Sequence, residues 1–451
     1  MLKQRFKYFI TPDDGRYEDL TNRFVFRNIF SDCKAGLLTA AASIPLAIGI
    51  ATASGLRPEQ GIAGVAIAAL LGALFGGSKY QVNGPSAALI PVIGGLLTMY
   101  DQSFLVLVSV IAGIILLLAG LSGIARITRN IPGSVIAGFT IGVAIVIVFS
   151  QLSDAVGFKE KPGSSILDHL LFLGDNPGNI KWAAVGMMLC TFILCRAFTK
   201  VLLFVPGTFI ALIFGYLGAQ TFWAGKELVL VSDKYGTMSQ GYFTLTAPVL
   251  PVEWNFKIAF DILYYVSAIV VVVSIESILS GRKADRMADN GWMPFNPHKE
   301  LWGQGLINIV SPFLNGAPQS GNWKLASRNI RSGALSPLAG IARCSFIILM
   351  AIFLSGYFDK IPVACIAGIL FSIATDMIRK AGISKVWERS NFHKAVMIYT
   401  VCMVCFTDAL AAIISAIILY SIFRRKIKRK KIKYRRRMSR SINYDERNAT
   451  G

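Results

Sequence analysis

Apolar stretches recur along nearly the whole chain, many of them close to twenty residues long and so able to cross about 30 Å of hydrocarbon. Fourteen are read here: 33–53, 60–76, 84–99, 103–123, 132–152, 181–198, 200–219, 258–281, 301–315, 323–332, 334–356, 361–378, 393–407 and 409–423. Of the 451 residues 54% are hydrophobic and only 16% charged, against about a quarter in soluble domains. The pattern predicts an all-α polytopic membrane protein. One membrane domain, 31–423, lies between an N-terminal segment, 1–30, and a tail, 424–451. A multidomain soluble enzyme does not fit it.

The net charge of +21 is concentrated at the end, in "RRKIKRKKIKYRRR" (424–437). Directly after a span, such a block reads as a positive-inside signal that also attracts anionic lipid head groups. A nucleic-acid arm is the weaker reading. Lys3, Arg5, Lys7, Arg16, Arg23 and Arg27 make the other end basic too, so both termini are expected in the cytoplasm. The opening "MLKQRFKYFITPDDGRYEDL" has no apolar core, so no cleavable signal is expected. The seven cysteines lie mostly in spans without disulfide or zinc spacing, and the three histidines are scattered. No metal site, cofactor or catalytic constellation is indicated.

Two spans are broken. "LFGGSKYQVNGPSAAL" (74–89) lies over "FLNGAPQSGNWKLAS" (313–327), with Gly77 and Asn83 spaced as Gly316 and Asn322 are. Each passes from an apolar span through turn residues and an extended stretch into a short helix. Asn83 and Asn322 are expected as N-caps, with Pro85 in the first helical turn. Interrupted segments at matching places in two halves indicate a site between inverted repeats near the bilayer midplane. The halves are 33–219 and 258–423, seven spans each. A helix broken in the membrane presents free N–H groups and its positive dipole end, and two such ends facing each other make an anion site.

"AIVVVVSIESILSGRKADRM" (268–287) puts Glu276 well inside a span, which marks a functional carboxylate. Ser280 is on the same helical face. Together they suit Na⁺, or Glu276 alone carries H⁺. Lys324, in the first turn of the second broken helix, adds positive charge to the anion site and is also the cation at hand for Glu276. Trp323 beside it either walls the pocket or packs on lipid.

Several ordered motifs resemble the SulP sulphate-permease family of inorganic anion transporters: "DCKAGLLTAAASIPLAIGIATASGLRPEQGI" (32–62), "GGSKYQVNGPSAAL" (76–89), "IPGSVIAGFTIGVAIV" (131–146), "IESILSGRKADRM" (275–287), "ELWGQGLINIVSPFLNGAP" (300–318) and "RSGALSPLAGI" (331–341). The resemblance implies a seven-plus-seven inverted repeat in which a core domain moves against a gate domain. It implies an anion held by Asn83, Gly84, Pro85, Ser86 and Ala87 with Gly321, Asn322, Trp323 and Lys324 opposite. Pro45, Ala47 and Ile48 of the first helix line the same pocket in that family, and Glu276 with Ser280 matches the Na⁺ site of sodium-coupled bicarbonate members.

Three features depart from the family. About 28 residues follow the last span, so the usual domain resembling anti-sigma-factor antagonists is expected to be absent from this chain. Leu325 stands where many members have an arginine. The first helix has no carboxylate between Asp32 and Glu59. The expected activity is secondary transport of sulphate or bicarbonate, coupled to Na⁺ or H⁺ through Glu276, in a homodimer in a bacterial inner membrane. The alternatives are a C4-dicarboxylate or other organic-anion carrier, or an uncoupled anion channel or exchanger.

Overall fold

The computed structural model describes residues 11, 15–18, 25–123, 132–160, 163, 166–201, 206–225, 227–238, 241–251, 254–289, 294–380, 382–388, 390–407 and 410–423. The basic tail and most of the basic N-terminus lie outside these residues.

Fourteen helices follow the fourteen apolar spans. The first seven are α1 Val25–Ala53, α2 Pro58–Phe75, α3 Ile90–Met99, α4 Gln102–Ser122, α5 Gly133–Ser150, α6 Trp182–Val201 and α7 Gly207–Gln220. The second seven are α8 Phe256–Ala288, α9 Pro297–Phe313, α10 Trp323–Arg331, α11 Leu338–Phe358, α12 Val363–Lys380, α13 Asn391–Phe406 and α14 Leu410–Phe423. By length and composition α1, α2, α4, α5, α8 and α11 can each cross a membrane. By contrast α3 and α10, with 10 and 9 residues, reach only about half-way at 1.5 Å per residue. Side chains start several helices where backbone N–H groups would be orphaned. The Asp101 carboxylate accepts from Phe104 N at 3.1 Å to open α4, and Asn255 Oδ1 accepts from Ile258 N at 2.8 Å to open α8.

The packing repeats with a period of seven helices. The contact of α1 with α11 recurs as α8 with α4, α2 with α11 as α9 with α4, and α5 with α13 as α12 with α6. The last pair matches in detail. A Cβ built on Gly138 of α5 would come within 2.5 Å of the Met397 carbonyl of α13, and one on Gly368 of α12 within 2.5 Å of the Met188 carbonyl of α6. Only glycine allows these backbones so close, which is how helices gain packing where lipid supplies no hydrophobic drive.

The contacts sort the helices into two bodies. A core holds α1–α4 with α8–α11, and a gate holds α5–α7 with α12–α14; Val135, Val396 and Ala416 tie α5, α13 and α14 together. The bodies do not meet symmetrically. α1 packs on α7 and α12, whereas α8 and α5 face each other across a cavity.

Candidate functional site

Between the half-helices the chain is extended, and extended backbone inside a membrane must find partners in protein. Strand β1, Asn83–Pro85, pairs antiparallel with β2, Gln319–Gly321, in the register Asn83 with Gly321, Gly84 with Ser320 and Pro85 with Gln319. Asn322 N donates to Val82 O at 2.8 Å. Neighbouring helices satisfy the outer edges. Gly321 N donates to Ser277 Oγ of α8 at 2.9 Å, Gln319 N to Asn308 Oδ1 of α9 at 3.0 Å, and Arg343 Nη1 of α11 to Asn83 O at 2.7 Å.

Asn322 is the N-cap its place in the sequence predicts. Its Oδ1 accepts from Lys324 N and Leu325 N at 3.1 and 3.2 Å, and its Nδ2 reaches Pro85 O at 3.1 Å, joining the two breaks. The equivalent expectation for Asn83 is corrected. Asn83 lies within β1, and its Oδ1 accepts from Gln304 and Gln81 at 2.7 and 3.2 Å. Pro85 closes the strand and Pro91 takes the first turn of α3, after a 3₁₀ turn over Ala87–Leu89. Proline tolerates either setting, since it has no N–H to leave unpaired at an edge or in a first turn.

Both breaks border one cavity of about 200 Å³. Pro85, Ser86 and Ala87 come from the first, and Ser320, Gly321, Asn322, Trp323 and Lys324 from the second. Trp323 therefore walls the pocket, with Lys283 Nζ 5.8 Å from its ring centre. Asn83 and Gly84 are buried just behind the wall. From α1 the wall is formed by Leu46 and Ile50, one turn apart. Pro45, Ala47 and Ile48 are buried on other faces, and the Ala47 carbonyl lies against Gly61 of α2. The gate contributes Ile136 and Thr140 near the start of α5, and Ile373, Asp376 and Met377 near the end of α12. In a chain that alternates across the membrane, those two ends lie on the face where α1 begins. The gate wall of the cavity lies toward that face. A second cavity of about 340 Å³ lies at the opposite ends of α1, α3 and α5.

Glu276 accepts hydrogen bonds from Ser86 Oγ at 2.5 Å and Ser320 Oγ at 2.6 Å, one from each break. Ser280, one turn on, also lines the cavity, and its buried hydroxyl has no hydrogen-bond partner among the described residues. Lys324 extends across the boundary between core and gate. Its Nζ donates to Ile373 O at 3.0 Å and lies 3.7 Å from Asp376 Oδ2. Asp376 Oδ1 in turn is 2.6 Å from Arg196 Nη1 of α6. Ser320, Asp376 and Arg196 are additions to the set read from the sequence. The last two were visible as charges inside predicted spans, the signal that singled out Glu276.

Residues 29–401 match the family model described as the sulfate permease family. The chain belongs to that family. Its members are transporters, so this one is not an enzyme. YvdB of Bacillus subtilis is 28% identical over 395 residues, covering 87% of this family member and 73% of YvdB. The bicarbonate transporter BicA of a Picosynechococcus species is 26% identical over 408 residues, covering 87% of this chain and 70% of BicA. The solved transmembrane domain of a cyanobacterial BicA superposes with a TM-score of 0.76 at 24% identity, covering 86% of this chain and 98% of that one. Murine Slc26a9 in its inward-facing state gives 0.78 at 15% identity, covering 94% and 72%. These likenesses establish the fold of the permease as the inverted repeat with core and gate.

Proposed function

We propose that this permease is a secondary transporter of an inorganic anion, sulphate or bicarbonate, bound between the N-terminal ends of the two half-helices. One observation carries the reading. The 3₁₀ turn leading into α3 and the first turn of α10 border the same cavity, so two sets of helix N–H dipoles converge on one space. Ser86, Ala87, Trp323 and Lys324 would touch the anion, while Asn83, Gly84, Pro85, Gly321 and Asn322 hold the two helix ends in place.

The same geometry suits a coupling ion. Glu276 supplies a carboxylate and Ser280 a hydroxyl without a partner among the described residues, both on the same cavity, a hard-oxygen pair that fits Na⁺ as co-substrate, and the carboxylate alone fits H⁺. Because Glu276 is bonded to both breaks, a cation held there would steady the two helix ends that meet the anion. Alternating access would follow if the core slid along the gate, closing the cavity between α5 and α8 and opening its counterpart on the other face. Basic residues at both ends favour a cytoplasmic location for the termini, so the state described faces inward. A homodimer in a bacterial inner membrane, its basic tail on anionic lipid, completes the reading.

Uptake into proteoliposomes of labelled sulphate, bicarbonate and succinate, with and without imposed Na⁺ and pH gradients, tests it. Saturable accumulation of one inorganic anion, driven by one of the gradients, is expected. Flux that does not saturate, or that prefers succinate, contradicts it.

A further inference from the structure

Behind the first break sits a buried cation that pairs with no carboxylate among the described residues. Arg343 of α11 is 1% exposed, and among the described residues it forms no ion pair. Its Nε donates to Ser43 Oγ at 3.0 Å, its Nη1 donates to Asn83 O at 2.7 Å, and its Nη2 is buried without a partner among the described residues. A Cβ built on Gly84 would lie 3.3 Å from that Nη2 and 3.2 Å from Leu325 Cδ1, so the guanidinium and Leu325 flank the same point of β1. The polar pocket it borders has a volume of about 10 Å³, room for about one water and too small for an anion.

A buried charge is strongly disfavoured unless something of opposite sign offsets it. What lies on the other side of β1 is the transport cavity. Ser86, which holds Glu276, stands three positions after Asn83, which Arg343 holds; at about 3.3 Å per residue that is roughly 10 Å. We propose that Arg343 is a fixed positive charge of the anion site beside the lysines that line the cavity, acting through β1 without touching substrate. It attracts the anion and offsets the repulsion from an ionised Glu276. This rests on the anion-transport reading and adds to it a residue that sets selectivity by substrate charge.

The effect has a signature that a packing role lacks. At about 10 Å and an effective dielectric constant near 20, a unit charge changes the affinity for a monovalent anion by about ten- to twentyfold and for a divalent one by about a few hundredfold. Equilibrium binding of labelled sulphate and bicarbonate to purified parent, R343Q and R343K in matched ionic strength reads both. Monodisperse elution and an unchanged melting temperature report folding. R343Q is expected to weaken sulphate by about the square of its effect on bicarbonate, and R343K to weaken both modestly while keeping their ratio. Should R343Q fail to fold, the double variant R343L/L325R carries the test. It moves the guanidinium to the other flank of Gly84 and is expected to keep the parental ratio within a few-fold. A folded R343Q that binds both anions as the parent does, or weakens both by one factor, overturns the proposal. So does a folded R343L/L325R that has lost the parental ratio. A parent that binds neither anion overturns the transport reading, and this proposal with it.

Discussion

Replacing Asp376 with Asn isolates the charge of Lys324, which in this state is shared between core and gate. The two groups are 3.7 Å apart, with side chains 25% and 26% exposed. At that distance a pair in an effective dielectric constant of about 20 interacts by about 4 kcal/mol. Solvent contact of this extent lowers the usable part to about 1 kcal/mol. The Lys324 ammonium stays in place, because the Ile373 carbonyl still accepts from it at 3.0 Å. Arg196, which loses the same carboxylate, adds positive charge nearby. Both changes have one sign, so D376N is expected to bind the anion about five- to tenfold tighter from the side on which the cavity opens. The maximal transport rate should fall, because a tighter site releases more slowly. Equilibrium binding to the purified protein gives the affinity. A cycle with K324Q and K324Q/D376N shows whether the gain passes through the lysine, since their coupling should account for most of it. A folded D376N with unchanged or weaker affinity would refute the reasoning.

Two further outcomes are expected. E276Q keeps the shape of the side chain but not its charge, so dependence on a Na⁺ or pH gradient should vanish while anion-for-anion exchange persists; gradient-driven accumulation equal to the parent's would assign coupling elsewhere. G368V places side-chain atoms where a Cβ already lies within 2.5 Å of the Met188 carbonyl, so the gate should lose several kcal/mol of stability, read as a sharp drop in detergent-stable protein.

The arrangement of the fold was legible because hydrocarbon leaves few options: apolar runs of near span length, two broken at matched places, become fourteen helices in two sets of seven. A further echo is plain in retrospect. Ile136, Ala137 and Gly138 recur as Ile366, Ala367 and Gly368, and at both glycines a Cβ would meet a facing backbone carbonyl at 2.5 Å. The site was legible where charge or a cap marks it, as at Glu276 and Asn322. It was not legible in α1, because a helix apolar on every side carries no phase; nothing in the sequence favours Leu46 and Ile50 over Pro45 and Ala47. Asn83 was misplaced because a short polar residue in an Asn-Gly-Pro turn sequence suits a cap and a strand edge equally, and only the partner strand decides. Asp376, Arg196 and Arg343 stand in predicted spans, but their pairing depends on helices distant in sequence.

Protection from labelling measures most directly whether the anion lies between Ala87 and Lys324. A single cysteine at Ala87, in protein whose transport is intact after replacement of the native cysteines, is exposed to a small thiol reagent with increasing concentrations of the transported anion. Modification is expected to slow, with half-protection at the concentration that half-saturates transport, and a cysteine at Thr98 in the second cavity is expected not to be protected in the same way. Labelling at Ala87 that is indifferent to saturating anion, in protein that still transports it, would contradict the placement of the site.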